Sequence, residues 1–338
     1  MEPAAAGAPV TSEGDDAEAR GDDRAPGGRP GAEPATDDVR PALRDGTETE
    51  WRPTALGPAH KLVTRSILVA ASRPTHQARM LPGFLIAGAA RCGTTSMFRA
   101  LSCHPAVFNA MRQKEVHYFD NKYDRGLTWY QAHFPLKARA RLAARRLGAE
   151  PMAFESGPYY MFHPSAAERI LRDLPGVKLV VMVRDPVERA RSNHAYSVNL
   201  GYETESFERA LELEASRLEG EAERIIADPT YVSLSHQHHS YRIRGEYADQ
   251  LERLEQLFGR ERIHVVDSDD FFADPKPAYD SVLDFLGLPH CGYLAFGRNN
   301  AQPRTCVPSR VRVSLQEHYR PYDERLVRWL GREPSWRR

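Results

Sequence analysis

From about Leu81 onward, two patterns of apolar and polar positions alternate along the chain. Short apolar runs are typical of buried strands, and stretches with an apolar residue every three or four positions are typical of helices. The runs that predict strands are GFLIAGA, MAFESG, VKLVVMV and RIHVVD. VKLVVMV is apolar throughout, as expected for a strand of a parallel sheet that is covered on both faces.

The segments between these runs carry the helical pattern. They are TTSMFRALSCHP, HPSAAERILRDLPG, DPVERARSNHAYSVNL, SFERALELEASRLEGE, EYADQLERLEQLFG and PAYDSVLDFLGLP. The last stretch, PSRVRVSLQEHYRPYDERLVRWLG, predicts two helical pieces broken at Pro321, because an interior proline interrupts a helix. Strands alternating with helices predict an α/β, three-layer fold with a mainly parallel central sheet flanked by helices.

The first part of the chain has a different composition. Residues 1–50 contain thirteen Asp and Glu and five Arg, a net charge of −8, and are rich in Ala, Gly and Pro. Such a segment cannot bury enough apolar surface to offset its ordering entropy, so we predict a disordered acidic tail. Residues 51–80 are transitional, and residues 81–338 form the predicted domain.

Composition limits the classes of partner and compartment. The net charge of +0 gives no general reason to expect nucleic acid or a membrane surface. No window of about 18 apolar residues predicts a membrane span. The four cysteines lack metal-ligand spacing, so we predict reduced thiols, no metal and a cytoplasmic protein. The histidines of the segment SHQHHS (His236, His238, His239) could be metal ligands, but a polar helix start is the better explanation.

Gly88 and Gly93 bracket a turn between the first predicted strand and its helix, in FLIAGAARCGTTSMFRAL. Glycines let the backbone approach an anion, and the amides of a helix start point at it. Together with Arg91 and three hydroxyls, this phosphate loop (residues 88–96) predicts an anion site. A nucleoside triphosphatase would carry lysine at position 94, where Thr94 stands.

A second anion site follows the run VKLVVMV. Arg184 comes directly after the predicted strand, and its guanidinium can bind phosphate through two parallel hydrogen bonds. Ser192, eight residues on, lies on roughly the same face of the following helix. A nucleotide with phosphates at two separate positions would occupy both sites.

Taken in order, the motifs resemble those of a known family. GAARCGTTSMFRALSCHP and VMVRDPVERARSNHAY are similar to the 5′-phosphosulfate loop and 3′-phosphate motif of sulfotransferases that use 3′-phosphoadenylyl sulfate (PAPS). KEVHYFD (residues 114–120) resembles the heparan sulfate 3-O- and N-sulfotransferase group and its bacterial relatives. The resemblance runs from about Leu81 to Trp336, and it implies a P-loop-like fold.

The resemblance also implies roles for individual residues. Glu115 is the implied catalytic base, with His117 beside it and Arg91 on the leaving phosphate. The loop at residues 298–306 is expected to close over the cofactor. The implied cofactor contacts are Arg91, Cys92, Gly93, Thr94, Thr95, Ser96, Arg184, Ser192 and Arg304. The implied substrate contacts are Lys114, Asp120 and Tyr159.

The chain departs from the family pattern at two positions. Arg91 stands where the family has lysine, and Ser156 stands where the eukaryotic group often has lysine. An arginine can stabilise a leaving phosphate, which needs charge rather than a proton. We therefore predict a PAPS-dependent sulfotransferase that needs no metal and acts on a hydroxyl or amine of a carbohydrate, a glycolipid or a small natural product.

Two other functions remain open on sequence grounds. One is a P-loop kinase or nucleoside triphosphatase, against which Thr94 argues. The other is a non-catalytic nucleotide-binding protein, which Arg91 would favour. His117 could be the base, could orient Glu115, or could be a histidine bonded within the core. The identity of the acceptor, the choice between O- and N-sulfation and the oligomeric state are not predicted.

Overall fold

The four apolar runs and one further short strand form a five-stranded sheet in the computed structural model, which describes residues 68–338 except Arg112, Leu294, Ala295 and 297–305. The strands are β1 (Pro82–Gly88), β2 (Val107–Asn109), β3 (Met152–Ser156), β4 (Lys178–Val183) and β5 (Ile263–Asp267). Their order is β2-β3-β1-β4-β5, and every pairing is parallel. The predicted tail (residues 1–50), most of residues 51–80 and Arg304 lie outside the described residues.

Helices connect the strands and flank the sheet. The α-helices are α1 (Thr94–Ser102), α2 (Leu127–Gln131), α3 (Lys137–Ala144), α4 (Ala166–Asp173), α5 (Pro186–Asn199), α6 (Phe207–Leu218), α7 (Glu221–Ala227), α8 (Leu234–His238), α9 (Tyr247–Phe258), α10 (Ser268–Ala273), α11 (Pro275–Leu286) and α12 (Ser309–Leu330). Short 3-10 turns lie at Arg73–Ala78, Tyr123–Arg125, Arg145–Leu147, Ile243–Gly245, Arg260–Arg262 and Ser335–Arg337. In the described parts of the chain, no helix is both long and apolar enough to span a membrane. The predicted α/β fold with a parallel sheet is confirmed.

The core lies on both faces of the sheet. All five residues from 179 to 183 in β4 are 0% exposed, and Phe84, Leu85 and Ile86 of β1 are equally buried. A smaller apolar cluster lies apart from the sheet, where α5, α6 and α12 contribute Val187, Leu211 and Leu315. The sheet and its helices therefore form a rigid frame for the loops at the strand ends.

The C-terminal helix corrects one sequence prediction. We expected a break at Pro321, but α12 runs without interruption from Ser309 to Leu330 with Pro321 inside it. Pro321 is exposed, so water can satisfy the carbonyl that loses its hydrogen bond. A continuous stripe of buried residues packs on both sides of the proline and holds the helix together: Val311, Leu315, Tyr319, Asp323, Leu326 and Trp329.

Candidate active site

The phosphate loop has the backbone that its glycines predict. Gly93 precedes α1 and has a left-handed φ of 78°, and a Cβ at this position would lie 2.9 Å from the Phe272 ring. Arg91 also has a positive φ, of 70°. Backbone turns of this kind, followed by the first amides of a helix, form concavities that bind anions. Thr94, Thr95 and Ser96 stand at this helix start.

Neighbouring elements hold the phosphate loop in place through hydrogen bonds. The Ala89 amide donates to the Met182 carbonyl at 2.8 Å, and the Ser268 hydroxyl donates to the Cys92 carbonyl. The Cys92 sulfur lies 3.4 Å from the Tyr247 hydroxyl. Burial raises the pKa of Cys92 to about 11, so this residue is a packed thiol that anchors the loop.

The residues predicted to hold the two phosphates meet in space. Arg91 donates from Nε to Ser192 Oγ at 3.2 Å, and its guanidinium lies 4.6 Å from the centre of the Tyr196 ring. Burial lowers the pKa of Arg91, and the nearby Arg184 cation lowers it further. Two cations in a desolvated place destabilise each other, and a bound anion would relieve that repulsion.

Arg184 lines a cavity of about 460 Å³. The next residue, Asp185, caps α5 by accepting the Val187 amide at 2.8 Å, so β4 ends abruptly and Arg184 lies at its edge. Arg184 Nε is 4.0 Å from Asp269 Oδ1. Arg312 and Trp336 line the same cavity.

The KEVHYFD segment (residues 114–120) brings a carboxylate to the phosphate loop. Lys114 Nζ lies 2.8 Å from Glu115 Oε1 and 3.4 Å from Thr94 Oγ1. Lys114 thus bridges the predicted base and the predicted phosphate site. This contact joins segments that follow two different strands, β1 and β2.

His117 connects Glu115 with a second carboxylate. Its Nε2 lies 3.6 Å from Glu115 Oε2, and its Nδ1 lies 2.9 Å from Asp120 Oδ2. Burial acts to raise the pKa of Asp120, but the contacts with His117 outweigh it, so the pKa is lowered. Asp120 is only 2% exposed and its carboxylate bonds to His117 and to the Asn121 amide. An aspartate in this place fixes the orientation and tautomer of the imidazole.

Tyr159, an implied substrate contact, is held in place by neighbouring side chains. Its side chain is buried, its hydroxyl is 2.7 Å from His236 Nδ1, and Arg244 stacks on its ring. His236 belongs to α8, which is capped by Ser233 accepting the His236 amide. SHQHHS therefore spans most of this five-residue helix and the residues after it, and is not its start. Among the described residues, no group of three or more His, Cys, Asp or Glu is placed to hold a metal.

Sequence reasoning did not identify Tyr247 as part of the site. It is 1% exposed, and its hydroxyl donates to the Arg184 carbonyl at 3.0 Å and contacts the Cys92 sulfur. One phenol therefore contacts both anion sites. In the sequence, Tyr247 stands at the start of a predicted helix, and only the apolar positions of that helix carried a prediction.

Known proteins are similar to this chain over most of its length. The family model described as "Sulfotransferase domain" matches residues 81–296. Human heparan sulfate glucosamine 3-O-sulfotransferase 5 is 25% identical over 284 residues, which cover 76% of this chain and 75% of that protein. Human heparan sulfate glucosamine 3-O-sulfotransferase 6 is 29% identical over 286 residues, which cover 76% and 74%.

A solved sulfotransferase structure is also similar to this chain. The sulfotransferase from Alicyclobacillus acidocaldarius superposes with a TM-score of 0.56 and 29% identity, and the match covers 77% of this chain and 100% of that one. The family-model match, residues 81–296, includes the five strands, the phosphate loop and the KEVHYFD segment. The chain belongs to the sulfotransferase family, whose enzymes transfer a sulfuryl group and use PAPS as co-substrate.

Proposed function

We propose that this chain binds PAPS across the phosphate loop and the end of β4 and transfers its sulfuryl group to a carbohydrate hydroxyl. The 5′ and 3′ phosphates of the donor stand on one ribose, so their binding sites must be adjacent. The contact of 3.2 Å between Arg91 and Ser192 supports this requirement. Residues 91–96 would hold the 5′-phosphosulfate, and Arg184 and Ser192 would hold the 3′-phosphate.

The observation that carries the proposal is the position of Lys114. Its ammonium touches both Glu115 and Thr94, so the carboxylate and the phosphate loop share one cation. A sulfuryl group held by the loop would be attacked from the side on which Glu115 stands. A fixed positive charge there stabilises the negative charge that develops during transfer.

In the proposed reaction, the acceptor oxygen forms a bond to sulfur while the bond from sulfur to the phosphate oxygen breaks. The acceptor proton passes to Glu115, and adenosine 3′,5′-bisphosphate leaves with the electron pair. Arg91 stabilises that leaving phosphate with charge and need not supply a proton. Asp120 acts through His117, which positions the Glu115 carboxylate. One base, with no acid, is thus sufficient.

The relatives support the choice of acceptor. Both human relatives are named as enzymes that act on glucosamine units of heparan sulfate at a 3-O position. We therefore propose a sugar hydroxyl as the first acceptor to test. Ser156, in place of the lysine often found there, is a reason to include acceptors with less negative charge than heparan sulfate.

The test is transfer of label from [³⁵S]PAPS to a panel of acceptors. The panel contains a desulfated heparan oligosaccharide, a neutral oligosaccharide, a glycolipid and p-nitrophenol, with and without EDTA. We expect label on a sugar hydroxyl at equal rates with and without the chelator. Binding of the bisphosphate without transfer to any acceptor or to water would identify a non-catalytic binder. Magnesium-dependent binding of ATP in calorimetry would favour a kinase instead.

A further inference from the structure

Glu155 is a carboxylate in the middle of the sheet. It belongs to β3, pairs with Leu85 of β1, and is 0% exposed. Burial raises its pKa to about 7. Among the described residues, no cation forms a salt bridge with it. Because a leucine would fill the same place without the cost of burying a charge, stability alone does not explain Glu155.

The contacts of Glu155 lead to the KEVHYFD segment. Its Oε2 accepts the amide of Val116 at 2.7 Å, and Val116 stands between Glu115 and His117. Its Oε1 accepts the hydroxyls of Tyr130 and Tyr160 at 2.7 and 3.1 Å. The tyrosines thus fix one oxygen, and the other oxygen fixes the backbone between two residues of the site.

Arg169 holds the other end of the segment. This buried arginine of α4 donates from Nη1 to the carbonyls of Phe119 and Asp120 at 3.0 and 2.9 Å. Backbone groups on both sides of His117 are therefore bonded to buried side chains from two different elements. Glu155 and Arg169 are 0% and 5% exposed, so both contact the segment from the interior of the protein.

His117 itself shows why such support is needed. Its φ is 58°, in the left-handed region that a residue with a Cβ occupies at an energetic cost. Such a conformation persists only where the surrounding structure determines it. This backbone turn brings the imidazole between Glu115 and Asp120.

We propose that Glu155 and Arg169 form a buried clamp that holds the KEVHYFD segment in its active shape, with Glu155 as a positioning residue for Glu115 and His117. For this role, Glu155 must supply an oxygen that accepts the hydrogen bond from the Val116 amide. The proposal rests on the proposed function, because it assumes that Glu115 is the base.

The test compares Glu155→Asp with Glu155→Gln. Aspartate keeps the charge but is one methylene too short to reach the Val116 amide, whereas glutamine keeps the reach and the acceptor oxygen. The readouts are kcat and KM for [³⁵S]PAPS with the acceptor found above, and the Kd of adenosine 3′,5′-bisphosphate by calorimetry. We expect Glu155→Asp to lower kcat at least tenfold, with Kd within about threefold, and Glu155→Gln to keep kcat within about fivefold.

Glu214→Asp is the matched control. Glu214 is also buried and accepts backbone amides, those of Arg242 and Ile243, but it does not touch the KEVHYFD segment. We expect it to lower the melting temperature without lowering kcat. If Glu155→Asp does not fold, Arg169→Met tests the other arm of the clamp with the same readouts.

Three results would overturn the inference. The first is a Glu155→Asp enzyme with the wild-type kcat. The second is a loss of kcat in the glutamine variant as large as that in the aspartate variant, which would show that an acceptor oxygen at the Val116 amide is not sufficient. The third is a loss of bisphosphate affinity that parallels the loss of kcat. A wild-type protein that transfers no label would instead refute the proposed function, so the two failures are distinguishable.

Discussion

At the scale of single residues, Glu115 is the group on which turnover should depend most. Glu115→Gln keeps the shape and the contact with Lys114 but removes the basicity. We expect kcat to fall by about 10²–10⁴-fold, because the acceptor proton loses its receiver, while the Kd of the bisphosphate stays within about threefold. The measurement is transfer of label under single-turnover conditions. Glu150→Gln, at an exposed position, is the control, and a near-normal rate for Glu115→Gln would direct attention to His117.

Arg184 should determine which nucleotide binds. Only adenosine 3′,5′-bisphosphate carries the phosphate that we assign to this guanidinium, whereas adenosine 5′-phosphate lacks it. Arg184→Ala should lower the affinity for the bisphosphate by roughly tenfold to a hundredfold, because a charge-assisted hydrogen bond is lost. The affinity for the monophosphate should change little. Calorimetry with both ligands measures this, and Arg320→Ala on the exposed side of α12 is the control. Equal weakening of both ligands would make Arg184 a structural residue.

Glu155 should make the stability of the protein depend on pH near neutrality. Its pKa is raised by burial from 4.5 to about 7 in the folded protein. The stabilisation from holding this proton is complete below pH 4.5 and is lost as the pH rises through 7. Glu155→Gln removes that titration. The free energy of unfolding of wild type minus that of the variant should therefore fall by about 3 kcal/mol from pH 4.5 to about pH 8. Urea unfolding of both proteins measures it, and a constant difference would mean that Glu155 titrates normally.

At the scale of elements, the phosphate loop should be sensitive to a single methyl group. Gly93 and Gly220 both precede a helix with a left-handed φ, but only at Gly93 would a Cβ meet a neighbour, the Phe272 ring at 2.9 Å. Both alanine variants should lose about 1–2 kcal/mol of stability from backbone strain. Only Gly93→Ala should also lower the affinity for the bisphosphate, because the phosphate loop must shift to make room for the Cβ. Thermal melts and calorimetry separate the two effects, and unchanged affinity in Gly93→Ala would place the ligand elsewhere.

Sequence patterns predicted the long elements better than the short ones. The four apolar runs became β1, β3, β4 and β5, since a buried parallel strand leaves an uninterrupted apolar signal. The three-residue β2 was too short to leave such a signal. The break predicted at Pro321 does not occur, because packing along the whole of α12 outweighs the local effect of the proline.

In the candidate site, the sequence indicated the groups that we propose to face a ligand but not the buried groups that contact them. Arg91, Lys114 and Arg184 lie in recognisable motifs at strand ends. Glu155 and Tyr247 are buried, and their partners are distant along the chain, such as Val116 and Arg184. No spacing rule predicts contacts of that kind, which appear only once the strand order is known.

At the scale of the whole molecule, the strand order explains why one site can use so many loops. β1 lies at the centre of the sheet with β3 on one side and β4 on the other, and ligands of such sheets bind where the strand order reverses. The phosphate loop follows β1, the KEVHYFD segment follows β2, and Arg184 follows β4. All of them lie at the carboxyl ends of parallel strands, on one edge of the sheet.

The phenol of Tyr247 has a thermodynamic consequence, because it touches the Cys92 thiol and the Arg184 carbonyl at once. An element shared by two sites couples their binding free energies, and this coupling acts equally in both directions. The losses of bisphosphate affinity in Thr94→Ala and Arg184→Ala should therefore not add in the double variant. With Tyr247→Phe as the background, the departure from additivity should become smaller, although the contact between Arg91 and Ser192 still joins the two sites. Calorimetry on the two cycles measures the difference, and additivity in both would show that the two phosphates are bound independently.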